Sequence, residues 1–68
     1  MKISARNVLK GKIVEVIKGA TTAHVRIEVG GTIVTASITN DAVEDLGHVN
    51  GMAASAVIKA SDVMVAVD

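Results

Sequence analysis

"AHVRIEVGGTIVTASIT", residues 23–39, is the stretch that decides the fold. In its first half Ala23, Val25, Ile27 and Val29 alternate with His24, Arg26 and Glu28, which is the period of a strand with one buried face. Gly30 and Gly31 supply the positive φ angles of a two-residue hairpin turn. The return half sets Val34, Ala36 and Ile38 on one face and Ile33, Thr35, Ser37 and Thr39, mostly hydroxyls, on the other. A β-hairpin therefore lies at the centre of the chain.

Upstream, "GKIVEVIK" (11–18) carries Val14 and Val16 on one face and Ile13 and Ile17 on the other, so it reads as a strand apolar on both sides. Such a strand is expected to be buried twice, by its own core and by a neighbour. Downstream, "NDAVEDLG" (40–47) has the marks of a short helix: Asn40 or Asp41 as cap, Glu44 three after Asp41, Val43 and Leu46 on one face, and Gly47 as the left-handed stop. "HVNGM" (48–52) reads as a turn. "AASAVIKAS" (53–61) reads as a strand with Ala54, Ala56 and Ile58 opposite Ala53, Ser55, Val57 and Lys59. The closing "DVMVAV" (62–67), with Val63, Val65 and Val67 on one side and Met64 and Ala66 on the other, is a fifth strand expected to lie against another subunit. The fold class is all-β with one short helix, a partly closed five-stranded barrel resembling an OB-fold.

A 68-residue chain is small, and a monomer of this size buries only roughly 60% of its unfolded surface. The usual supplements are restricted. There is no Cys for disulfides or thiolate metal sites, and His24 and His48 stand apart without a carboxylate-rich neighbourhood, so no residue is expected to ligate a metal cation directly. Oligomerisation is the remaining remedy, and the Val, Ala and Ile that dominate an aromatic-free, half-hydrophobic composition suit close packing between sheets. No secretory signal, membrane span, repeat or linker is legible, so residues 1–68 are expected to form a single cytoplasmic domain.

The net charge is zero but unevenly spread. Lys2, Arg6, Lys10, Lys12, Lys18 and Arg26 outnumber Glu15 and Glu28 in the first part, whereas Asp41, Glu44, Asp45, Asp62 and Asp68 face only Lys59 thereafter. That asymmetry fits head-to-tail pairing of charges or an anion site on the basic side. Catalysis is not expected, because there is neither a Cys nor a Tyr and the histidines lack an obvious Ser or Asp partner. "LKGK" lacks the glycine loop of a phosphate-binding motif. Single-stranded nucleic acid, a common OB-fold ligand, needs aromatic platforms and a positive groove, and this chain has no aromatic residue.

Some polar residues are hard to place as scaffold. Ser4 and Arg6, two apart ahead of an apolar strand, project to the same face of an extended segment. Lys59 ends an apolar strand beside Ala60 and Ser61. Together with the hydroxyl of Thr39 these give two cations and several donors, an inventory that suits a small tetrahedral oxyanion.

"SARN" (4–7), "LKGKIVEV" (9–16), "GATTAHVRIEV" (19–29), "SITNDAVEDLG" (37–47) and "VIKASDVMVAVD" (57–68) resemble, in order and spacing, the Mop domain of molbindins, small molybdate-binding proteins. The resemblance implies an OB-like barrel, a homohexamer assembled as a trimer of dimers, and molybdate or tungstate held between subunits for intracellular storage and buffering. It implies that Ser4 and Arg6 face Lys59, Ala60 and Ser61, with Thr39 nearby. A second anion site of the family falls on the turn Gly19, Ala20, Thr21 and Thr22, where relatives more often have Val and Asn in place of the two threonines. An alternative within the same resemblance is an oxyanion-responsive interaction module that signals to a regulator or transporter.

Overall fold

In the computed structural model, which describes residues 2–47 and 49–68, the central hairpin forms as its alternation requires. Gly30 and Gly31 adopt φ 55 and 86 and join β2 (Thr22–Val29) to β3 (Thr32–Thr39), with Ala23 opposite Ile38, Val25 opposite Ala36 and Ile27 opposite Val34. β1 (Asn7–Lys18) pairs antiparallel with β2 on one side and with β4 (Ala53–Ile58) on the other, giving one sheet in the order β3-β2-β1-β4. Ile13, Ala23, Val25, Ile27, Val43 and Ala56 form the core inside the curl of this sheet.

β1 begins at Asn7 rather than Gly11, because the four residues before Gly11 pair with β4 from Val57 and Ile58 inward. Its faces also differ from a plain alternation. The register runs Ile13 to Ile27 and then Glu15 to Arg26, which makes Val14 an inserted bulge residue. Beyond it the inward parity changes: Val16 joins Ile13 against the core, while Val14 and Ile17 face outward and are exposed. The bulge also places Glu15 beside Arg26 on the outer face, where their side chains pair at 3.2 Å.

α1 (Asn40–Leu46) follows β3 directly and buries Val43. Its cap is Thr39 rather than Asn40 or Asp41: the Thr39 hydroxyl accepts from the Ala42 amide at 3.0 Å. Asn40 is drawn into other bonds, its amide donating to Thr21 O at 2.8 Å and its side chain to Gly19 O at 2.9 Å. Gly47 ends the helix at φ 66. The expected turn at 48–52 includes His48, which lies outside the described residues. The rest of it docks onto the bulge, with Gly51 N donating to Ile13 O at 2.7 Å and Ile13 N donating to Met52 O at 2.9 Å.

The mostly β fold with one short helix holds, with four strands in the chain's own sheet. β4 stops at Ile58, and Ala60–Asp62 form a 3-10 turn closed by Asp62 N to Lys59 O at 2.9 Å. Residues 62–67, expected as a fifth strand, pair with no strand among the described residues. The 3-10 turn deflects the backbone off the end of the sheet before a ladder can start. No helix among the described residues is long and apolar enough to cross a membrane.

Gly11 lies where β1 passes from one neighbour to the other. A Cβ there would overlap the Glu28 carbonyl oxygen and come within 2.9 Å of the Val29 side chain. Backbone cannot yield as a flexible side chain does, so Gly11→Ala is expected to destabilise the protein by about 1–3 kcal/mol, the usual cost of overpacking. The midpoint of urea unfolding by circular dichroism measures it. An unchanged midpoint would contradict the close crossing.

Candidate functional site

The last pair of the β1–β4 ladder is Asn7 opposite Ile58, and the Asn7 side chain donates to the Ile58 carbonyl at 3.2 Å. Arg6 and Ser4 precede this pair on one strand, and Lys59, Ala60 and Ser61 follow it on the other. The two stretches picked out in the sequence are thus brought to the same end of the sheet within a single chain. Strand alternation puts Arg6 and Lys59 on the outer face, beyond the Val8–Val57 pair. Ser4, Arg6, Lys59, Ala60 and Ser61 are all exposed.

The 3-10 turn adds donors to this end. The amides of Ala60 and Ser61 fall in its first turn, where a helix leaves N–H groups without an internal acceptor. Neither Arg6 nor Lys59 joins an ion pair among the described residues. Asp62, exposed on the same turn, is the nearest carboxylate in sequence. The outer face of β1 continues the positive charge with Lys10, opposite Ser55, and Lys12, opposite Ala53 and Glu28. Lys10 and Lys12 on the outer face of β1, with Arg6 just ahead of the strand, therefore form a row of positive charge, a field that attracts small anions.

Thr39 is not part of this cluster within one chain. It closes β3 opposite Thr22, next to the Lys18 end of β1, whereas Arg6 lies at the other end of that strand. There it neighbours the turn Gly19, Ala20, Thr21 and Thr22, the second candidate anion site, whose residues are exposed. The turn is tightly held: Gly19 N donates to Thr22 O at 2.7 Å, and Asn40 accounts for the carbonyls of Gly19 and Thr21. Beside it Ile17, Gly19, Thr22 and His24 line a shallow hollow of about 220 Å³. Its nearest cation, Lys18, is engaged by Glu44 at 3.0 Å, so this end offers hydroxyls and amides with little free positive charge.

Two contributors escaped the reading of the sequence. Asn7 was visible as part of "SARN", and its signal is a polar residue on the inward side of an otherwise apolar alternation. The Arg6, Lys10 and Lys12 row was visible as cations at even spacing, a period-2 pattern that needs the early start of β1 to place Lys10 and Lys12 on one strand.

A family model, the TOBE domain, matches residues 3–65. The chain is 54% identical over 66 residues to molybdenum-pterin-binding protein 3 of Clostridium pasteurianum, covering 96% of this chain and 97% of that one. Its structure superposes on a molybdate-binding protein from Sporomusa ovata with a TM-score of 0.93 at 39% identity, covering 97% of this chain and 98% of the other. It also superposes on the cytoplasmic molybdate-binding protein ModG, solved with molybdate bound, with a TM-score of 0.90 at 45% identity over 94% of this chain and 46% of ModG. A match along nearly the whole sequence, on a fold that gathers "SARN" and "KAS" at one end of a sheet, leads to one assignment: the chain belongs to the TOBE domain family, among its Mop-type molybdenum-pterin-binding members.

Proposed function

We propose that this protein binds molybdate, or tungstate of the same charge and shape, without chemical change, and stores and buffers it in the cytoplasm. The observation that carries this reading is the convergence of Ser4 and Arg6 with Lys59, Ala60 and Ser61 at one end of the β1–β4 pair, with neither cation in an ion pair among the described residues. A tetrahedral dianion takes donors from several directions and two positive charges. Arg6 and Lys59 supply the charge, and the hydroxyls of Ser4 and Ser61 with the amides of the 3-10 turn supply direction. Relatives with this fold that bind molybdate support the choice of anion. With no aromatic side chain available for stacking, the donor set favours the bare oxyanion over a planar heterocycle.

The site is completed between subunits. One chain leaves the Arg6–Lys59 cluster open to solvent and holds Thr39 at the far end of β1, so a Thr39 hydroxyl reaches the cluster only from a neighbouring copy. The assembly we propose is the homohexamer, a trimer of dimers, that the family resemblance implies, and the exposed apolar residues Val14, Ile17, Ile33 and Val57 are surface for it. The turn Gly19–Thr22 is a second, weaker oxyanion site in this scheme. Phosphate is disfavoured at either, because its protonated form near neutral pH presents a donor to a pocket of donors.

Isothermal titration with molybdate at low sulfate is expected to give saturable heat, and an absence of heat at micromolar ligand would overturn the reading. Arg6→Ala and Lys59→Ala each remove a charge-assisted contact, whose loss of about 1.5–3 kcal/mol corresponds to roughly ten- to hundredfold weaker binding. Asn7→Ala keeps both cations and removes only the tie to Ile58. It is expected to weaken binding less than either charge removal, as the same titration measures, and equal loss would show that ladder closure matters as much as charge.

A further inference from the structure

The turn between β1 and β2 engages its carbonyls and leaves its amides open. Asn40 Nδ2 donates to Gly19 O at 2.9 Å, the Asn40 amide to Thr21 O at 2.8 Å, and Gly19 N to Thr22 O at 2.7 Å. Among the described residues no backbone carbonyl takes the amides of Ala20 or Thr21. A turn in this state offers donors, the polarity that suits an anion. What it lacks is charge. Lys18, next to Gly19, is held by Glu44 at 3.0 Å, and Arg26, two positions past His24 on the same outer face, is held by Glu15 at 3.2 Å. Each pair is neutral as a unit. Between them stands His24, exposed, opposite Ile17 of β1 and Ser37 of β3, and in no ion pair or side-chain hydrogen bond among the described residues. With Ile17, Gly19 and Thr22 it lines the hollow of about 220 Å³ that opens beside the turn.

We infer that the protonated imidazole of His24 is the cation of the Gly19–Thr22 oxyanion site, so that this site binds more tightly as the pH falls whereas the Arg6–Lys59 site does not. Histidine is the side chain whose charge ordinarily changes between about pH 5 and 8, and Arg and Lys stay charged throughout that range. A dianion in the hollow meets the Thr22 hydroxyl on the His24 strand face, the turn amides and an imidazolium. Once His24 is neutral, the hydroxyl and amides remain without the charge. No neighbouring element presents a competing switch in that range: β1 carries Glu15 and Lys18, β2 Arg26, and α1 Asp41, Glu44 and Asp45, while β3 has no charged residue. By reciprocity, an anion that prefers the charged ring raises the ring's affinity for the proton by the same factor. One class of site then holds its anion at constant strength, and the other fills as the surroundings acidify. The inference rests on the second-site reading above and is independent of the Arg6–Lys59 site.

Equilibrium dialysis of the full chain against molybdate at low sulfate counts bound anion per chain and separates the two classes of site by affinity. The weaker class is expected to tighten roughly three- to tenfold between about pH 8 and about pH 6, the effect of one added charge at a partly exposed site. His24→Gln is expected to keep the weaker class at its alkaline affinity throughout, and His24→Lys to keep it near its acidic affinity, with the stronger class the same in every variant. In the unsubstituted protein the ring protons of His24, followed by nuclear magnetic resonance, are expected to titrate at higher pH with molybdate than without it. A role in folding alone would not give that signature. A pH dependence that survives His24→Gln, a weaker class equally tight at both pH values in the unsubstituted protein, or a ring titration that molybdate does not move overturns the role of His24 and leaves the second site standing. Absence of the weaker class at every pH, in the unsubstituted protein and in His24→Lys alike, removes the second site together with this inference and leaves the Arg6–Lys59 site to be judged from the stronger class.

Discussion

Lys12 is paired on both sides at once, with Ala53 of β4 and Glu28 of β2, so β1 must pass from one neighbour to the other there. The rest of the molecule follows from how that hand-over is made. Gly11 lets the β2 backbone come against β1 where any side chain would collide. Val14 bulges out of register just beyond, and Ile13 spends its own N–H and C=O on the 49–52 turn. Together these bend one long strand around the core, with its first half beside β4 and its second half beside β2. A straight β1 would leave Ile13 and Val16 on opposite faces and the core without one of them.

How much of this was legible depended on whether the signal was local. The Gly30–Gly31 hairpin and the helix stop at Gly47 were legible because their chemistry resides in the residues that perform it. The helix cap was misplaced by one or two positions because Thr39, Asn40 and Asp41 are all competent caps, and only the competing bonds from Asn40 to Gly19 and Thr21 decide among them. The bulge at Val14 was not legible from the hydrophobic pattern. With Ile or Val at 13, 14, 16 and 17, either parity buries an apolar side chain, so hydrophobic pattern carries no register information. The Glu15–Arg26 pair was the available clue, since an ion pair across two strands requires both residues on the outer face.

The candidate site shows the same division. Residue types and spacing pointed to Ser4, Arg6, Lys59 and Ser61, and the ladder from Asn7 to Ile58 supplies the proximity that spacing alone cannot. Thr39 was grouped with them by chemistry, and the register separates it by the length of β1. Strand registers thus turn an inventory of donors into two clusters of unlike character. One end of the sheet carries free positive charge, and the other carries hydroxyls whose nearest cation is neutralised by Glu44.

The tie between Asn7 and Ile58 spans 51 positions of sequence, whereas the β2–β3 hairpin closes across two glycines. Contacts between distant residues bear a larger loop-closure entropy and limit folding rate. On that basis the hairpin is expected to form early, and the β1–β4 seal that brings Arg6 and Lys59 to one end of the sheet among the last. An anion that binds only the finished cluster would stabilise the folded state by mass action, acting on the contacts that close last. Under the proposed function, ligand supply and completion of the fold are linked, and a newly made chain in the presence of its anion has a deeper native basin than one without it.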